Sequence, residues 1–238
     1  YRGGYRGGGG GGGGYRGSGG GGYRGGGYRN NSRRGGHYGS YSYQREEEKL
    51  NRLIMNVGVP GGSVGVEVNV EKLAHTLQES LARYEKEIIE IIVECVVHLP
   101  LQTEVYGTLV GLMNEKNMEF GKSLVTNVHQ KLQAHLDKVD QQQCEKEAAR
   151  NFYVIRVLSR FVAQLVNTNV ISVSSLFTLL DTFIEGAEQT PENLPLRSDA
   201  FLHVAIDTLI FGGKRLLETR QANFQGICDT IDQLMKKR

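Results

Sequence analysis

The sequence predicts an all-α fold, an α-solenoid of HEAT-like antiparallel helix pairs preceded by a disordered Gly/Arg/Tyr-rich tail. Three observations predict it. After residue 44, apolar residues recur at three- and four-residue steps, and no stretch shows the strict alternation of a strand. The helical stretches come in successive pairs, each about 30–45 residues long, sharing geometry rather than words, as stacked hairpins do. Composition also breaks sharply. Residues 1–43 hold 21 of the 32 glycines, 8 of the 11 tyrosines and seven arginines, with no acidic residue and no Leu, Ile, Val, Met, Phe or Ala.

That composition defines the tail, residues 1–43. With nothing apolar to bury it cannot offset its ordering entropy, so disorder is expected. The net charge of +2 averages a tail of +7 with a body of −5, which is +2 less +7. Tyr-Arg-Gly repeats at Tyr1, Tyr5, Tyr15 and Tyr23, and a Tyr28-Arg29 pair follows. Arginine meets phosphates and stacks on bases, and tyrosine offers a stacking face. Arg2, Arg6, Arg16, Arg24, Arg29, Arg33 and Arg34, with Tyr5, Tyr15, Tyr23 and Tyr28, are therefore the candidate nonspecific RNA contacts. The plainer reading is a flexible, solubilising extension that self-associates weakly.

The helical domain is expected over 44–238. Leu50, Leu53, Ile54 and Val57 give a short first helix, followed by a loop with Gly58, Pro60, Gly61, Gly62 and Gly65. Asn69 is the expected N-cap of a helix through Val70, Leu73, Leu77 and Leu81. That helix leads through Tyr84 into the densest apolar run of the chain. There Glu87, Glu90, Glu94 and His98 form one thin polar stripe on an otherwise buried helix, which Pro100 ends. The next helix carries Leu101, Val105, Leu109, Leu112 and Met113 on one expected core face, and Gly107 and Gly111, four apart, admit a close neighbour.

After a turn at Asn117, Phe120, Leu124, Val128, Leu132 and Leu136 mark a long helix to about Lys138, and polar residues from Asp140 to Lys146 link onward. Val154, Ile155, Leu158, Phe161, Val162 and Leu165 face the core of the following helix, with Tyr153, Arg156, Arg160 and Gln164 opposite. Asn167–Asn169 break it, and Val173, Leu176, Phe177, Leu180 and Ile184 form its return partner. An exposed loop from Glu188 to Leu196 precedes a last pair. Phe201, Leu202, Ala205, Ile206, Leu209 and Ile210 are separated by Gly212-Gly213 from Leu216 and Leu217, and Phe224, Ile227, Ile231 and Leu234 finish the chain.

Catalytic chemistry is not expected. Gly121-Lys122-Ser123 ends like a phosphate-binding loop but lacks the upstream glycine, with Lys116 in its place. Cys95 and His98 have no orienting third group; His129 and His135 are badly spaced for a metal; His75 and His203 are isolated. Glu46-Glu47-Glu48 reads as a solvated run, and Lys236-Lys237-Arg238 is too short to specify import. Asn30-Asn31-Ser32 fits a glycosylation acceptor, but Cys95, Cys144 and Cys228, odd in number and widely spaced, argue for a reducing compartment. No enzyme, cofactor, metal or membrane span is expected. The first residue, Tyr1, suggests a fragment.

Several stretches carry a resemblance: Leu50 to Gly58, the Glu-rich helix ending in Leu99-Pro100, and Val105-Tyr106-Gly107-Thr108-Leu109-Val110-Gly111-Leu112-Met113-Asn114 followed by Phe120. Val157-Leu158-Ser159-Arg160-Phe161 and Asn169-Val170-Ile171 continue it. From Leu50 to Arg238 the body resembles the first helical domain of the large subunit of the nuclear cap-binding complex, a class related to the middle domain of the translation-initiation scaffold. Where that family tends to show Leu-Pro-Trp before a glycine, this chain has Leu209-Ile210-Phe211-Gly212, and it contains no Trp. The tail is not a general family feature, and the family's large subunit continues with two further helical domains.

The resemblance implies a non-enzymatic nuclear scaffold, able to shuttle to the cytoplasm. It would support a small RRM-type cap-binding subunit, meet capped RNA only indirectly, and offer surface to mRNA processing and export factors. No cap-pocket residue carries over. The rival readings are another helical scaffold of that superfamily, in translation initiation or mRNA decay, and an RNA-annealing protein acting through its tail.

Overall fold

The computed structural model describes residues 38–59, 65–141, 145–191 and 194–237, and helices account for nearly all of them. The tail up to residue 37, with every arginine expected to touch RNA, lies outside the described residues, as does the glycine-proline loop at 60–64. Helix α1 spans Tyr38–Met55 and so begins before the compositional break at 43/44. Its Leu50 and Ile54, with Val57 just beyond, are buried, but Leu53 faces outward.

Helix α2, Val66–His98, is the longest element. Gly65, not Asn69, is its N-cap, with an extended backbone at φ −66°, ψ 157°. Asn69 lies a turn inside, its N–H donating to the Gly65 carbonyl at 3.3 Å. The two expected helical stretches are one element, with a kink at Tyr84, where φ −129° and ψ 26° leave the helical region. Ile88, Ile89, Ile91, Ile92, Val93, Cys95 and Val96 are buried, and Glu90, Glu94 and His98 face solvent. Leu99 leaves the helix because proline excludes the helical conformation from the residue before it.

A 3₁₀ turn, Pro100–Gln102, leads into α3, Thr103–Lys116. Leu101 falls in that turn and is 95 % exposed, so it is not part of the core face. Leu109 and Met113 are buried as expected, together with Thr103, Tyr106, Gly107 and Val110, while Val105 and Leu112 pack partly buried against the core. Asn117 caps α4, Met118–Gln141: its side-chain carbonyl accepts from the N–H groups of Glu119 at 3.1 Å and Phe120 at 3.2 Å. Then come α5, Glu145–Asn167, and α6, Val173–Glu188. Between them Asn169 takes the left-handed conformation, φ 59°, which asparagine tolerates.

Helix α7, Pro195–Thr219, runs straight through Gly212-Gly213, where the sequence suggests a break, and α8 is Gln221–Lys236. The glycines are there for proximity. A Cβ on Gly212 would stand 2.6 Å from Leu176 Cδ2 and 3.2 Å from Ala163 Cβ. Neighbours lie both along and across the chain: α3 packs on α5 and α5 on α7, while α4 also packs on α2 and α8 on α6. This is the stacking of a solenoid. One pairing differs from expectation. Helix α6 packs chiefly on α7 and only slightly on α5.

Candidate functional site

Away from the tail, several of the side chains weighed for chemistry are engaged in structure. Gly121 lies in the first turns of α4 beneath Asn114, and Lys122 pairs with Glu119 at 2.7 Å, so Gly121-Lys122-Ser123 is helix surface. The Cys95 thiol and Tyr106 hydroxyl lie beside each other, and the hydroxyl donates to the Ile54 carbonyl at 3.4 Å, tying α3 to α1. Burial pushes both groups up from their ordinary pKa values, which keeps them protonated. His98 meets the Glu94 carbonyl at 2.8 Å, and His135 meets Asn151 Oδ1 at 2.7 Å.

The polar stripe of α5 behaves otherwise. Tyr153, Arg156, Arg160 and Gln164 recur at three- and four-residue steps, as read from the sequence, but of the four only Tyr153 is exposed. Gln164 is buried because Gly107 lies against it: a Cβ on Gly107 would be 2.7 Å from Gln164 Cβ. One turn on, Gly111 lies as close to Thr168, with 2.8 Å to its Cβ. The glycine pair of α3 thus serves internal packing against α5.

On the other side, Arg160 reaches α7. Its Nε donates to Asp207 Oδ2 and its Nη2 to Asp207 Oδ1 at 2.6 Å, a bidentate pair only 18 % and 11 % exposed. The guanidinium also sits over the Phe211 ring, 5.0 Å from its centroid. Hydrogen bonds to Asp207 raise the arginine's pKa; burial opposes them, and the charge of Asp207 adds to the rise.

A turn earlier, Arg156 Nη1 meets His203 Nε2 at 3.3 Å and the guanidinium stacks 5.9 Å from the Tyr153 centroid. Its Nε is buried and has no hydrogen-bond partner among the described residues. Two turns after Arg160, Asn167 donates to the Phe211 carbonyl at 2.9 Å, and beyond it Arg215 donates to Asn169 Oδ1 at 2.7 Å. The Tyr153 hydroxyl donates to the Val97 carbonyl at 3.2 Å, closing the seam against the end of α2.

Three of the apolar residues that mark α7 in the sequence lie at the surface. Ile206 is 36 %, Ile210 74 % and Leu217 44 % exposed, at spacings of four and seven that place them on one stripe. The buried positions between them go to Asp207 and Thr208. Asp207 is a functional partner the sequence reading missed. A lone carboxylate inside Phe201–Ile210 was the available signal, since such a group needs a cation nearby. The seam therefore offers fixed donors and aliphatic surface, the materials of binding.

Residues 47–238 match the family profile described as the MIF4G domain. The chain belongs to the MIF4G domain family. Among curated proteins it is similar to nuclear cap-binding protein subunit 1 of Anopheles gambiae, 33 % identical over 196 residues, which covers 82 % of this chain and 23 % of the relative. The same-named proteins of Aedes aegypti, 32 % over 213 residues (86 % and 24 %), and Caenorhabditis briggsae, 31 % over 193 residues (81 % and 23 %), are similar to it as well. The resemblance drawn from Leu50 to Arg238 is borne out by these matches. The chain spans about a quarter of the length of these relatives, 23–24 %.

Proposed function

We propose that this MIF4G domain is the first helical module of the scaffold subunit of a nuclear cap-binding complex. The observation that carries the reading is the 31–33 % identity to proteins named nuclear cap-binding protein subunit 1 along 81–86 % of the chain. The module is non-enzymatic. It helps to hold a small RRM-type subunit that grips the cap, contacts capped RNA only through that subunit, and recruits mRNA processing and export factors in the nucleus. The two-layer packing around α5 supports a rigid platform, which such a role needs.

The domain division follows composition, with a tail at 1–43 and the helical module at 44–238. Arg2, Arg6, Arg16, Arg24, Arg29, Arg33 and Arg34, together with Tyr5, Tyr15, Tyr23 and Tyr28, add RNA affinity without sequence preference. Because that affinity comes from neutralised phosphates, it falls steeply with added salt.

The test is recovery of the full-length protein on cap-analogue resin, with mass spectrometry of the chains that elute with it. Retention together with an RRM-type small subunit is expected; retention without one, or no retention, contradicts the reading. Deleting residues 1–43 is expected to remove the salt-sensitive RNA binding and leave resin recovery unchanged.

A further inference from the structure

We propose that the open face along the α5–α7 seam is a docking surface for an acidic segment of a partner protein, one that carries aliphatic or aromatic side chains among its carboxylates. The inference rests on the scaffold reading above and names the class of partner that this module holds. Its first support is charge. Lys146 and Arg150 are exposed on the face of α5 that continues through Tyr153 to Arg156, a cationic stripe on a body whose net charge is −5. Arg160 is already neutralised by Asp207, so the positive charge available to a ligand sits at Lys146, Arg150 and Arg156.

Its second support is the apolar wall beside it. His203, which meets Arg156, lies three and seven residues before Ile206 and Ile210, so cationic stripe and aliphatic stripe share one open surface. Apolar side chains grouped on a helix face and rimmed by charge mark interaction sites. Asp199 and Glu218 bound the α7 stripe at its two ends. The pairing of chemistries selects the ligand. A nucleic acid backbone gains nothing from aliphatic carbon, and the exposed rings of this face, Tyr153 and His203, are each engaged with Arg156. An acidic peptide with apolar anchors uses both walls. The Arg160–Asp207 bridge fixes those walls relative to each other before anything binds, which lowers the entropic cost of association.

The probe is a fluorescein-labelled peptide of three Glu-Glu-Leu-Glu-Phe repeats, titrated with the full chain and followed by anisotropy. Polyglutamate and oligouridylate serve as comparison ligands. Arg150→Glu and Ile210→Asp, both at exposed positions, are each expected to weaken the peptide by about tenfold or more. Lys122→Glu on α4 is expected to change nothing. Polyglutamate, held by charge alone, is expected to be insensitive to Ile210→Asp, and oligouridylate insensitive to both variants. Circular dichroism confirms that each variant is folded.

Peptide affinity unchanged in both variants overturns the proposal, because binding then belongs to the arginine tail. Loss of oligouridylate rather than peptide binding overturns it too, making the face a nucleic-acid interface. Cap-analogue recovery separates this failure from that of the scaffold reading. Intact recovery with no peptide effect sinks the docking surface alone, whereas peptide docking without cap recovery sinks the scaffold assignment alone.

Discussion

Helices α2 and α5 read alike in sequence, each an apolar helix with a narrow polar stripe, yet the two stripes meet different fates. On α2, Glu90, Glu94 and His98 face solvent while Ile88, Ile92 and Val96 are fully buried. On α5, Gln164 is buried against Gly107, Arg160 is locked to Asp207, and Arg156 meets His203. The difference lies in the neighbours. Another helix flanks each side of the α5 stripe, and those helices supply a glycine, a carboxylate and an imidazole at matching heights. A polar stripe is thus a solvent face or a seam according to what packs beside it, which one helix cannot reveal.

The comparison breaks first at Asp207. Asp207→Ala strands the Arg160 charge in a largely buried site and is expected to cost about 2–4 kcal/mol in urea unfolding. Replacing both partners with apolar residues, Arg160→Met with Asp207→Leu, is expected to cost clearly less than the single variant. Next is Gly107→Ala. Its added Cβ would lie 2.7 Å from Gln164 Cβ, and pushing α3 and α5 apart is expected to cost about 1–3 kcal/mol.

Tyr106→Phe removes a hydroxyl that donates to the Ile54 carbonyl, at about 1 kcal/mol near neutral pH. It also changes the pH profile. Burial raises the pKa of Cys95 from 9.0 and of Tyr106 from 10.0, so the stability they contribute is full below about pH 9 and declines as alkali titrates the unfolded chain. The variant is expected to flatten the part of that decline above pH 10, read from urea midpoints across the range. Smallest is the solvent stripe. Glu90→Gln on α2 is expected to shift stability by less than about 0.5 kcal/mol; a loss as large as that of Asp207→Ala would erase the distinction between the stripes.

The core of this fold was legible because burial writes itself into spacing. Ile88 to Val96, Phe120 to Leu132 and Val154 to Leu165 took the faces their periodicity assigned. Gly107 and Gly111 were legible as a close approach for the same reason, though not the residues they approach. What escaped depends on the rotation of one helix against another. Asp207 stands 47 positions from Arg160, and nothing local pairs them. Gly212-Gly213 read as punctuation because glycine weakens helices, but inside α7 contact with Leu176 and Ala163 outweighs that preference. Spacing marks Ile206 and Ile210 as helical without telling which way they face, and their exposure is what gives the seam its surface.

A double-mutant cycle across the seam tests the account most directly. Arg160→Ala, Asp207→Ala and the double variant are compared with the parent by urea unfolding, with the same cycle run on the solvent-exposed Lys122–Glu119 pair of α4 as reference. A coupling of about 2 kcal/mol is expected between Arg160 and Asp207, and less than about 0.5 kcal/mol for the exposed pair. Equal, near-zero couplings would mean that α5 and α7 are not joined by this bridge, and the seam would lose its claim to be a fixed surface.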